Sequence, residues 1–165
     1  HEAGSNGSEP TTTYVNCTMV NHRIVCRDYQ IIEMVNCIYQ GSSALFKASN
    51  GQIDAWNSAF QDDESSTLDT DDASNQHSVG DITGTWFESS TNFGLTATGI
   101  TNVGGEGLGP GATYPATEGA VSTTSFNGET RSGSTTDMGA WAQAGAGGGT
   151  TIPIFYRHYQ NMRAA

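Results

Sequence analysis

The sequence predicts an all-β fold, an antiparallel sandwich or barrel-like domain with several hairpins, Gly/Ser/Thr-rich loops and extended termini. Three observations carry that expectation. Gly, Ser, Thr and Asn dominate a 165-residue chain that is 35% hydrophobic and 14% charged, and all four are poor helix-interior residues. Three Trp, six Tyr and six Phe nevertheless supply large surfaces to bury. Asn-centred dipeptides then punctuate runs of β-formers, as tight reversals between paired strands require.

The first such dipeptide is Asn21-His22, between Thr11–Val20 and Arg23–Tyr29. A two-residue loop there sets Val20 opposite Arg23 and Cys17 opposite Cys26, on a closely spaced pair suited to a cross-strand disulfide. Asn50-Gly51 predicts a second hairpin, in which Lys47 faces Asp54 and Leu45 faces Trp56. Between them, Asp28–Gln40 fits a short helix or a strand buried on both faces. The β-branched content of Ile31, Ile32, Val35 and Ile38 favours the strand. Cys37, left over in this segment, is either a buried thiol or an intersubunit bridge.

Residues 1–10 read as a polar arm, 11–60 as the hairpin region with its cysteine pair, and 61–80 as an acidic loop or linker. Residues 81–165 read as a Gly/Ser/Thr-rich β region within the same domain. A third hairpin is expected at Asn127-Gly128, with a glycine-rich loop at 104–113 and no repeat of fixed period. The terminal run is bulky on both faces. Its Ile152, Ile154, Phe155, Tyr156 and Tyr159 are candidates for insertion into a neighbouring subunit.

Six basic residues stand against seventeen acidic ones, a formal charge of −11. That balance argues against nucleic acid and anionic membranes as partners. No apolar run approaches the roughly eighteen residues a membrane-spanning helix needs. A start at His1 without a basic and apolar leader is expected of a secreted chain after signal removal, or of a fragment. Asn6 and Asn16 head glycosylation sequons.

Chemistry is sparsely marked. Asp69, Asp71 and Asp72 lie in an acidic stretch that offers hard oxygen ligands for calcium, without EF-hand spacing. His1 offers an α-amine and an imidazole together. In that one residue the chain resembles the histidine brace of lytic polysaccharide monooxygenases. The resemblance implies copper at His1, a second ligand from His22, His77 or His158, and an axial Tyr156 or Tyr159. Trp56, Trp86 and Trp141 are candidates for stacking on sugars. No nucleophile elbow, phosphate loop or zinc cluster occurs.

The expected function is therefore an extracellular structural subunit of a fibre or pilus, a viral shell or tail, or a surface adhesin. It would assemble with copies of itself or other subunits by strand addition. The alternative is a secreted carbohydrate-active protein, a glycan-binding module or a copper monooxygenase.

Overall fold

The structure is a computed structural model and describes residues 10–41, 43–80, 85–88 and 94–142. Its first half is a parallel β-solenoid of about three turns. Strands β1 (Thr11–Val15), β4 (Ile31–Val35), β7 (Gln52–Trp56) and β9 (Thr70–Asp71) stack in that order as the first face. Strands β2 (Thr18–His22), β5 (Ile38–Gly41) and β8 (Ala59–Phe60) form the second, and β3 (Val25–Cys26) with β6 (Phe46–Lys47) the third. Every pairing among these nine strands is parallel, with Thr11 beside Ile31 and Ile31 beside Gln52.

This corrects the expected antiparallel sandwich or barrel. Period-two alternation is the same for a strand in either kind of sheet, so it reports an element without its partner. The dipeptides read as hairpins lie elsewhere in the path. Asn21 does have a positive φ, 54°, but inside β2, where the ladder to β5 slips between Val20 and His22. Asn50-Gly51 turns the chain from the third face to the first, with the Gly51 amide donating to Ala48 O at 2.9 Å. Lys47 and Asp54 therefore belong to different sheets, and Lys47 instead pairs with Asp69 at 2.7 Å. A tight reversal does form at Asn127-Gly128, where Gly128 has φ 84° and Thr124 bridges Thr130 antiparallel.

Stacked apolar side chains fill the solenoid. Ile24, Ile32, Met34, Tyr39, Leu45, Ile53, Phe60 and Leu68 form one buried cluster. The segment expected as one strand over Asp28–Gln40 is two, β4 and β5, largely buried and parted by the corner at Asn36. Outside the second face a smaller core joins Ile38 and Ala59 to Trp86, Phe87, Val103 and Met138. Val103 ends α1 (Ala97–Val103), whose first turn is capped by the Thr96 hydroxyl accepting from the Gly99 amide. Two further strands, β10 (Gly107–Leu108) and β11 (Thr135–Thr136), pair antiparallel in the second half.

Candidate functional site

One corner of the solenoid is built from a repeated tripeptide. Val15-Asn16-Cys17, Val35-Asn36-Cys37 and Trp56-Asn57-Ser58 turn the chain from the first face to the second on successive turns. The three asparagines have φ of 51°, 56° and 47°, a left-handed conformation that Asn adopts more readily than most residues. The residue after each donates to the carbonyl two positions back. Cys17 reaches Val15 O at 3.4 Å, Cys37 reaches Val35 O at 3.5 Å, and Ser58 reaches Trp56 O at 3.0 Å.

The second half of the chain is strapped to this corner. Asn57 Nδ2 donates to Glu106 O, while Asn36 both donates to Leu108 O and accepts from its amide, each at 2.7 Å. Asn16 Oδ1 accepts from the Ser122 amide at 3.3 Å. Residues 106–122 thus run back from the third turn to the first. Gly107 passes so close that an added Cβ would lie 3.1 Å from Asn36 Oδ1. Further along the strap, Thr117 donates through its amide and hydroxyl to the buried carboxylate of Glu33, which Thr13 also bonds. The glycine-rich stretch is a fitted strap.

The third face differs from the other two. Val25 and Phe46, paired across β3 and β6, are 36% and 49% exposed, and Tyr29 beside them is 62% exposed. With Arg27, Asp28 and Ala48 they line an open groove of about 560 Å³. The cations gather here too. Arg23, Arg27 and Lys47 lie along this side, whereas Arg131, the other cation among the described residues, is buried and donates to Gly139 O and Trp141 O.

No known protein family, curated protein or solved structure matches the chain.

The structure places the sequence candidates as follows. Cys17, at the corner between the first and second faces, and Cys26, on the third face, are free thiols, which corrects the expected disulfide. Cys26 points into the core and contacts Gln30 O and Gln52 O at 3.1 and 3.3 Å. Cys17 instead meets Cys37, its counterpart one turn on, and the neighbouring Cys37 side chain brings the Cys17 thiol down to about 7. Burial, with the neighbouring Cys17, pushes Cys37, which is fully enclosed, well above the ordinary thiol range.

The three aspartates proposed for calcium face different partners. Asp69 takes the Ile53 amide and Lys47, Asp71 takes Asn75 and His77, and Asp72 takes the amide and hydroxyl of Ser74. Among the described residues no three His, Cys, Asp or Glu side chains converge as a metal site. His77 stacks on Phe60 with ring centroids 5.2 Å apart. Its Nδ1 accepts from the Glu64 amide, so Nε2 carries the proton donated to Asp71. His22 is exposed on the second face.

His1, His158 and the terminal residues Ile152, Ile154, Phe155, Tyr156 and Tyr159 lie outside the described residues. Trp86 is buried in the smaller core and Trp141 packs against Phe126 at 5.9 Å. Asn16, head of a sequon, is buried at the corner. No helix among the described residues is long and apolar enough to cross a membrane. The exposed aromatic groove escaped the sequence reading. Its signal was Val25, Tyr29 and Phe46 set among charged residues, which strand alternation alone does not direct outward.

Proposed function

We propose that the chain is an extracellular structural or adhesive subunit that assembles with its own copies by adding strands at the ends of its solenoid. The observation that supports this reading is the state of the terminal turns. Among the described residues, β1 pairs only with β4, β2 only with β5, and β9 only with β7. An edge strand carries a row of ladder groups aimed outward, ready to accept another strand. Sedimentation velocity across a concentration series, followed by electron microscopy, tests it. Species growing with concentration into rods or fibres are expected, and a strict monomer at every concentration would overturn the reading.

The aromatic groove favours a second reading, binding of a glycan on the third face. Tyr29 and Phe46 present exposed aromatic surface beside Arg27 and Asp28, a combination that allows stacking on a sugar with polar contacts at its rim. Pull-down on insoluble polysaccharides, comparing wild type with a Tyr29→Ala, Phe46→Ala variant, decides this. Equal retention of both proteins would exclude the groove as the binding surface.

A further inference from the structure

The charges along the third side change sign from one end of the solenoid to the other. The first turn carries Arg23 and Arg27 with a single acid, Asp28, and all three are exposed. On the second turn the stretch from 43 to 50 contributes Lys47 alone. The third turn carries Asp62, Asp63 and Asp69 exposed, with Glu64 buried beneath them. At the same end Asp71, also exposed, stands on β9, the last strand of the first face.

Hydrogen bonding reinforces the acidic end. Ser65 donates to Asp63 through its amide and hydroxyl, and Ser74 does the same for Asp72, which lowers both carboxyls and keeps them ionised. Among the described residues, Lys47 pairs with Asp69 at this end and His77 donates to Asp71. Parallel strands give the solenoid a direction. A second copy translated along the axis therefore meets the first with β1 against β9 and with the 23–27 segment beside the 62–69 segment. The reverse arrangements set like charges together.

We propose that copies of this chain stack head to tail, the Arg23/Arg27 end of one seated on the Asp62/Asp63 end of the next. The inference rests on the subunit reading above and adds the direction of assembly and the residues that set it. Such a contact joins two different patches, so it does not close on itself and propagates as a filament. Adjacent turns lie about 4.8 Å apart. That is well inside a Debye length of about 8–10 Å, so the facing charges act on one another and salt weakens them.

Two charge-reversal variants of the full chain test this. Arg23→Glu with Arg27→Glu makes both ends acidic, and Asp62→Lys with Asp63→Lys sets two cations opposite the arginines in place of the two carboxylates that face them. Each alone is expected to need about tenfold more protein to assemble than wild type. Mixed in equal amounts, they are expected to assemble again, because each supplies the end the other lacks. Circular dichroism checks that both are folded, and a salt titration of the wild type gives a reading independent of any substitution.

Loss in each variant, rescue on mixing and salt-weakened wild-type assembly support the proposal. A wild type that assembles regardless of salt, or variants that assemble as it does, overturn the head-to-tail contact and leave the subunit reading standing. A wild type that never assembles overturns both.

Discussion

Cys17 and Cys37 stand one above the other at the same corner of successive turns, the Cys37 sulfur 3.4 and 3.5 Å from Tyr14 O and Val35 O and the Cys17 sulfur 3.4 Å from Val15 O. The neighbouring Cys37 side chain favours the Cys17 thiolate, whereas burial keeps Cys37 protonated. Alkylation by iodoacetamide should therefore begin at Cys17, its rate rising through about pH 7 as the thiol ionises. Cys37 should react only after unfolding. Peptide mapping after timed labelling checks this, and earlier modification of Cys37 would contradict the stacked arrangement.

The same stacking selects a disulfide partner. Neighbouring turns are about 4.8 Å apart, inside the roughly 4.4–6.8 Å between Cα atoms that a disulfide spans. Incubation with glutathione disulfide should therefore join Cys17 to Cys37. Cys26 should remain a thiol, because its sulfur is directed at Gln30 O and Gln52 O inside the core. A Cys17–Cys26 peptide in the digest would refute this.

Asn36 carries the most demanding position in the asparagine corner. It is fully buried, has φ 56°, and uses both ends of its amide on Leu108. Asn36→Ala leaves the Leu108 donor and acceptor unpaired, at an expected cost of about 2–4 kcal/mol by urea unfolding. Asn36→Gly loses the same bonds without the left-handed strain and should be milder by about 1 kcal/mol. Asn57→Ala, which gives up one bond at a more exposed site, should cost about 1 kcal/mol. Equal losses at 36 and 57 would remove the corner's claim to fasten the second half.

Much of this was legible, but locally. Strand segments around 11–20, 31–41 and 52–56 follow from β-branched and aromatic content, and the dipeptide Asn21-His22 does mark a residue of positive φ. What the residues could not supply from local pattern was the partner of each strand. The deciding signal was the tripeptide Val15-Asn16-Cys17, repeated at Val35-Asn36-Cys37 and in altered form at Trp56-Asn57-Ser58. The spacing grows from twenty residues to twenty-one, and the next turn shortens, with Asp54 beside Thr70. A search for one fixed period passes over it. Solenoid turns need equal strands but tolerate unequal corners, so the repeat lives in the strand ends. The groove on the third face was hidden for a related reason, since outward and inward positions exchange when a strand's partner is misread.

Gly51 separates the two accounts of its dipeptide. A hairpin loop would need positive φ at Asn50, but Asn50 is not among the residues that have it. Gly51 is required because the first turn passes close by. An added Cβ would lie 2.8 Å from both Arg27 O and Cys26 Sγ. Gly51→Ala should therefore cost about 1–3 kcal/mol through overpacking. Asn50→Ala, which loses one exposed side-chain bond to Asp28 and keeps the backbone amide bond to the same carboxylate, should stay within about 1 kcal/mol of wild type. Thermal unfolding of the two variants checks the order, and a larger loss at Asn50 would favour the loop geometry instead.

Glu64 gives the solenoid a pH dependence whose sign follows from its position. Its side chain is 1% exposed beneath Asp62 and Asp63, with Oε1 accepting from the Leu45 amide at 3.0 Å. Burial raises its carboxyl pKa, and the two aspartates add to the rise while the Leu45 amide and His77 oppose it. A carboxyl raised by folding contributes stability that is full below its unfolded pKa and is lost as pH rises through the folded value. Ionisation of Glu64 therefore weakens the fold on the way to neutrality. Glu64→Gln keeps an oxygen for Leu45 and never ionises. Its stability relative to wild type should rise from about pH 4 to about pH 7. Urea unfolding at both values measures the difference, and a variant that loses ground as pH increases would show that the carboxylate is held as a wanted charge.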